Sequence, residues 1–195
     1  MKVAIVKYNA GNVRSVTNAL LRLGVDSEIT DDPEVLNRAD KVIFPGVGEA
    51  SSAMSYLSDR NLSAAIRSLK QPVLAICLGM QLLCEFSEEN DTECLGILPQ
   101  TVRRFPAGPL NVPQIGWNTI SRLGTELFEG ITEGMFVYFA NSYFVASGSN
   151  TIAAASYGLD LSAAVRHENF YGVQFHPEKS GPVGAKILEN FLKIA

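Results

Sequence analysis

Two residue types that carry much of enzyme chemistry are scarce in this chain: its 195 residues include only two histidines and three cysteines. Cys77, Cys84 and Cys94 are odd in number and lack CxxC spacing, which argues against a disulfide framework or a zinc site and for reduced thiols. No cluster of Lys or Arg is present and the net charge is −4, so neither a nucleic-acid nor a membrane surface is expected. No apolar run approaches a membrane span, and the opening "VAIV" is too short for a signal peptide, so a cytoplasmic protein is expected. Repeats, low-complexity tracts and linkers are also missing, and residues 1–195 read as one domain. At 47% hydrophobic and 18% charged residues, the chain can build a sizeable core.

The first half alternates apolar runs with helical periodicity. "KVAIV", "VDSEIT", "KVIFPG" and "PVLAIC" read as four strands. Val13, Val16, Ala19, Leu20 and Leu23 recur at helical spacing, with Gly24 as a stop. Asp32 can cap a short helix that has Pro33 in its first turn, residues 49–70 read as mostly helical, and a further helix is expected from Leu78 to about Phe86. Strand–helix–strand repetition implies an α/β fold with a parallel sheet covered on both faces, binding ligands at the carboxyl ends of its strands. In the second half "TVRRF", "NTI", "MFVYFA", "YFVAS", "TIAAAS", "AAVRH" and "YGVQFH" are short β-prone runs, expected to extend the same sheet in mixed or antiparallel fashion. An amphipathic helix from about Gly184 to Lys193 closes the chain.

Two sharp turns fall at strand ends, "PGVG" and "CLG". Cys77 stands where a buried strand meets a helix start, a tight elbow for which Ala75 and Gly79 supply the small neighbours. A helix N-terminus favours a thiolate. A cysteine there is either a nucleophile or a small apolar residue ending a core strand. Cys84 reads as packing within the helix, and Cys94 has no assigned role. Of the two histidines, His167 is followed by Glu168, which an extended backbone points to the opposite face. His176 and Glu178 are two apart and share a face, with Pro177 stiffening the backbone between them, so His176 is the candidate base and Glu178 its orienter. "PGVGEA" can turn backbone N–H groups toward an oxygen gaining negative charge, and the N–H of Leu78 is the natural second donor. "PGVG" lacks the spacing of a phosphate-cradling loop.

The elbow "AICLGMQLL", the late "GVQFHPEKS" and the early "FPGVG", in that order across nearly the whole chain, resemble the class I, triad-type glutamine amidotransferases. Within that family, "YNAGNVRSV", "PGVGEA", "PQIGWN" and "VYFANSYF" look like the glutaminase subunits of imidazole glycerol phosphate synthases. The resemblance implies a flavodoxin-like three-layer α/β fold, with a central, mostly parallel sheet and an antiparallel extension in the C-terminal half. It implies L-glutamine as substrate, no metal and no cofactor. Its site residues map to Cys77 as nucleophile, His176 as general base and acid, and Glu178 as orienter. Gly46, Val47 and Gly48 become the oxyanion strand, with Val47 and Leu78 the donors. Gly46, Gly48, Gln81, Ser142 and Tyr143 become contacts to the glutamine. The implied partner is a (β/α)8-barrel cyclase subunit in a heterodimer, docked through "PQIGWN" and the loop after the first strand. Trp117 reads either as an anchor of that interface or as a core aromatic.

Two stretches depart from the family pattern. Many relatives have Asp-Tyr-Gly at Tyr8-Asn9-Ala10, and many have a histidine at Asn141. Other readings stay open on sequence grounds. These are a glutaminase subunit of another synthase, such as the one making anthranilate or pyridoxal phosphate; a cysteine hydrolase or peptidase on the same fold; and a non-catalytic binding module.

Overall fold

A computed structural model describes residues 1–9 and 12–195. The first half folds as β1 (Val3–Val6), α1 (Val13–Arg22), β2 (Ser27–Thr30), α2 (Pro33–Arg38), β3 (Lys41–Phe44), α3 (Ala50–Asp59), α4 (Leu62–Ser68), β4 (Val73–Ile76) and α5 (Leu78–Leu82). The second half adds β5 (Cys84–Ser87), β6 (Thr92–Glu93), β7 (Leu98–Arg104), β8 (Gln114–Thr119), β9 (Phe136–Asn141), β10 (Tyr143–Val145), β11 (Thr151–Ser156), β12 (Asp160–His167), β13 (Phe170–Val173) and α6 (Gly181–Lys193).

A seven-stranded sheet in the order β11-β12-β13-β4-β3-β1-β2 forms the middle layer. Its strands from β13 to β2 are parallel, and β12 and β11 continue it antiparallel. β1, β3, β4 and β13 are buried along their whole length, as strands covered on both faces must be. Side-chain alternation sorts them into two cores. Ala4, Val6, Val42, Phe44, Val73 and Ala75 pack with Leu36, Leu57, Leu62 and Ile66 of α2, α3 and α4. Val3, Ile5, Ile43, Leu74 and Ile76 pack on the other face with Val16 and Leu20 of α1 and Ile187, Leu188 and Phe191 of α6. This is the expected mostly parallel sheet with its antiparallel extension.

Local signals also act as expected at Asp32, whose Oδ1 accepts from the Glu34 N–H at 2.8 Å as the cap of α2. Three expectations need correction. The helix after Cys77 stops at Leu82, because Cys84 and Phe86 pair with Leu98 and Thr101 of β7 and so belong to a strand. The second half does not simply widen one sheet. β10-β7-β5-β6 form a separate four-stranded sheet, and β8 and β9 form a two-stranded one. The last helix begins at Gly181, three residues before the expected Gly184.

Candidate active site

Cys77 ends β4 at φ 53°, ψ −110°, a backbone region that a residue with a Cβ occupies only under constraint. The constraint is visible on both sides. The Cys77 N–H donates to the Val173 carbonyl at 2.7 Å, and its own carbonyl accepts from Gln81 N at 3.2 Å to start α5. Gly79 is obligatory, since a Cβ there would stand 2.0 Å from the Phe44 carbonyl oxygen. The sulfur is thereby presented at the carboxyl end of the central strand, at the floor of a cavity of about 280 Å³. That volume lies just below the ~300–1,000 Å³ of small-molecule sites and suits a ligand of amino-acid size.

Val47, Gly48, Leu78, Gln81, Ser142, Tyr143 and His176 line the same cavity, so eight of the ten sequence-predicted site residues face it when Cys77 is included. Glu178 is in contact through His176, and Gly46 lies behind, where a Cβ would reach within 2.4 Å of the Tyr8 hydroxyl. A larger groove of about 660 Å³ lies at the opposite, amino ends of β1 and β2, but its lining includes no cysteine or histidine.

His176 follows β13 and is held by its N–H to the Tyr138 carbonyl at 2.8 Å. Its Nδ1 lies 2.8 Å from Glu178 Oε1, and both side chains are almost wholly buried. The two do not meet on an extended strand as expected. The chain turns at His176 into a 3₁₀ turn, Pro177–Lys179, which carries Glu178 back under the ring. The Asn12 amide also donates to Glu178 Oε1, and Oε2 has no hydrogen-bond partner among the described residues. Burial works against charge on the imidazole, but the neighbouring Cys77 and the hydrogen bond to Glu178 outweigh it and its pKa is pushed up to about 10. With Nδ1 committed to Glu178, Nε2 is the ring nitrogen left for chemistry in the cavity that Cys77 also lines. His167 lies apart, on β12.

The Leu78 N–H points at the Gly46 carbonyl, 3.4 Å away. In a trans peptide the N–H opposes the C=O, so the Val47 N–H is turned away from Leu78. Gly48 follows at φ 120°, open to glycine alone at little cost. Glu49 then caps α3, accepting from Ser51 and Ser52 N–H, which helps hold its pKa down at about 2.

Sequence reasoning passed over four groups here. Asn12 lies in a loop and carries no local signal. Glu89 is the one carboxylate lining the cavity among the described residues; burial raises its pKa, and it accepts from the Ala50 N–H at 2.8 Å. Gln174 is fully buried beside Cys77. The buried Tyr8 hydroxyl donates to the Pro45 carbonyl at 2.6 Å, bracing the "PGVG" turn. Asn141 is buried in the cavity wall, donating to the Tyr143 carbonyl at 2.9 Å and leaving its own Oδ1 without a partner among the described residues. Ala10, part of the departure at Tyr8-Asn9-Ala10, lies outside the described residues.

Cys84 and Cys94 are buried, and burial pushes both thiols up, Cys94 to about 12. Trp117 is 55% exposed, which rules out a core aromatic. With Ile115 and Phe136 it forms an exposed apolar face on the β8–β9 hairpin.

Comparison with known proteins places this geometry in context. Residues 4–195 match the family described as glutamine amidotransferase class-I. The imidazole glycerol phosphate synthase subunit HisH of Bacteroides fragilis is 54% identical, covering 100% of both chains. The subunit HisH 1 of Vibrio vulnificus is 45% identical over 99% of this chain and 98% of its own. Among solved structures, one described as a glutamine amidotransferase superposes with a TM-score of 0.75 at 21% identity, covering 97% of each chain. The structure of PurLQS from Thermotoga maritima gives 0.70 at 18% identity, covering 98% of this chain and 97% of that one.

Proposed function

The chain belongs to the class-I glutamine amidotransferase family, in the branch of the HisH subunits of imidazole glycerol phosphate synthase, and from that membership we propose that it hydrolyses glutamine with Cys77, His176 and Glu178 as a catalytic triad and delivers the ammonia to a cyclase subunit. The observation that carries the triad is the 2.8 Å bond from His176 Nδ1 to the buried Glu178 side chain, with Cys77 lining the same cavity as the ring.

With the imidazole protonated and Nδ1 held by Glu178, Nε2–H is the proton His176 has to give. The Cys77 thiolate attacks the carboxamide carbon of glutamine. The tetrahedral oxyanion is taken by the Val47 and Leu78 N–H groups, each such donor contributing on the order of 10²-fold or more in turnover. His176 passes its proton to the departing nitrogen, ammonia leaves, and a thioester remains. The now neutral imidazole takes a proton from water, hydroxide adds to the thioester, and glutamate is released as the thiolate returns. Glu178 holds the tautomer throughout. Gln81 and Glu89 offer acceptors for the substrate's α-ammonium on one wall, with Ser142 and Tyr143 on another.

Two features favour coupling to a partner. Ammonia released into water becomes ammonium and loses its lone pair, so it needs a shielded route to a second site. The oxyanion donors also do not converge here: the Gly46 carbonyl occupies Leu78 N–H. Rotating the glycine-flanked Gly46–Val47 peptide would free Leu78 and present Val47. We take the partner to be a (β/α)8-barrel cyclase in a cytoplasmic heterodimer, producing imidazole glycerol phosphate and aminoimidazole carboxamide ribonucleotide in histidine biosynthesis. Its docking face is the β8–β9 hairpin with the loop after β1.

The test is glutamine hydrolysis by the chain alone and with its cyclase holding ligand. The expected result is poor hydrolysis alone, strong activation in the complex, and none with Cys77→Ala. Hydrolysis surviving Cys77→Ala overturns the triad. High activity of the free chain overturns the gating and leaves the triad standing.

A further inference from the structure

Gln174 is fully buried, two residues before His176, in a run otherwise made of Phe170, Tyr171, Gly172, Val173 and Phe175. A buried amide costs free energy unless its hydrogen-bonding groups are used. Here the contacts fix which end of the amide is which. The Tyr143 backbone carbonyl can only accept, so the Gln81 side-chain atom 3.0 Å from it is Nε2. That same Nε2 lies 2.9 Å from a terminal atom of Gln174, which must therefore be the acceptor Oε1. By elimination Gln174 Nε2 is the atom directed at Cys77 Sγ, 3.7 Å away.

On another side, 3.9 Å from the sulfur, stands the Ala140 carbonyl. A thiol can donate to that carbonyl, whereas a thiolate has no proton to give it. The Gln174 N–H has the opposite bias, since a donor binds the charged sulfur more strongly than the neutral one. We propose that Gln174 is a positioning residue for the nucleophile: its amide N–H holds the Cys77 sulfur in its attacking form and orientation, and its carbonyl fixes the Gln81 amide. Both Nε2 hydrogens of Gln81 are then spent on Gln174 and Tyr143, so Gln81 turns only its acceptor toward the substrate. The nucleophile and the amino-acid end of glutamine are thus set by one amide. The proposal rests on the reading of Cys77 as nucleophile.

Two variants of the full chain separate this role from packing alone. Gln174→Glu keeps the volume and the acceptor for Gln81 but replaces the donor facing sulfur. Gln174→Met keeps the length and removes both groups. Alkylation of Cys77 by iodoacetamide, followed across pH by peptide mass mapping, needs no glutamine and no partner. The buried, high-pKa Cys84 and Cys94 thiols do not compete near neutrality. The expected result is a rate profile displaced to higher pH by about one unit, with alkylation on its rising limb slower by up to roughly ten-fold. A profile that coincides with the unsubstituted chain, in either variant that folds, overturns the proposal even if thermal stability falls. Should neither fold, the unsubstituted chain decides. Its Gln174 side-chain amide proton, seen by NMR, should move downfield with the same midpoint as Cys77 alkylation, and an amide that ignores that titration overturns the proposal. Failure here leaves the triad intact. Only hydrolysis surviving Cys77→Ala would remove both.

Discussion

Asn12 and Glu178 are 166 positions apart in the chain, yet the Asn12 amide donates to the same carboxylate oxygen that accepts from His176 Nδ1. Asn12 sits at φ 74° just before α1 and itself reaches directly into the proposed triad. The Glu178 side chain is wholly buried and its second oxygen has no partner among the described residues, so Asn12 and His176 carry its compensation. Asn12→Gly removes the amide while easing the left-handed backbone, which isolates the hydrogen bond. A bond to a charged group contributes about 1.5–3 kcal/mol. The expected outcome is a stability loss of that order in urea unfolding, and kcat in the cyclase complex reduced about 10- to 100-fold. Unchanged kcat would mean that Glu178 holds its place without Asn12.

The charge on His176 has a measurable pH signature. Its pKa is raised from 6.5 to about 10: burial opposes the charge, and the neighbouring Cys77 with the hydrogen bond to Glu178 more than offsets it. A group whose folded pKa exceeds its unfolded one stabilises the native state fully below the unfolded value, and the effect fades as pH rises through the folded value. The stability gap between the unsubstituted chain and His176→Gln should therefore shrink between about pH 6.5 and pH 10. Cys77→Ala removes one of the groups that hold the ring charged, so the His176 titration followed by NMR should move to lower pH. A titration that stays in place would show that Glu178 alone sets it.

Reading these elements from sequence succeeded where one constraint decides the outcome. β1, β3 and β4 are continuous apolar runs, which only a strand buried on both faces explains. Asp32-Pro33 marks a helix start by local hydrogen bonding alone. The misses arose where a distant partner decides. Cys84 to Phe86 suits a helix or a strand, and pairing of Cys84 with Leu98 chooses the strand. The alternating runs after residue 98 announce strands without naming their neighbours, so nothing local separates the β8–β9 hairpin or the β10-β7-β5-β6 sheet from the main one. The shared-face argument for His176 and Glu178 assumed an extended backbone, whereas a 3₁₀ turn brings them together. Asn12, Glu89 and Gln174 were invisible for a related reason. Each acts on a residue far away in sequence, and an amide or an acid in isolation has no pattern.

The exposed apolar face supplies the remaining prediction. Ile115 and Trp117 lie two apart on β8 and so point to the same side, with Phe136 beside them on β9; all three are more than half exposed. Exposed surface of this kind contributes little to folding, so Trp117→Ala should change stability by no more than about 0.5 kcal/mol. As a buried anchor of the cyclase interface, the same residue should cost about 2 kcal/mol or more of binding, roughly a 30-fold rise in Kd. Trp117 is the only tryptophan in the chain, so its fluorescence reports docking at that one place. The indole also meets the Tyr138 ring edge-on at 5.9 Å, and the Tyr138 carbonyl receives the His176 N–H. A partner that presses on Trp117 therefore acts one residue away from the backbone holding the imidazole. If docking runs through this face, Trp117→Ala should weaken binding and also lower the activation of glutamine hydrolysis at saturating cyclase. A variant that binds and activates like the unsubstituted chain would move the interface elsewhere on the molecule.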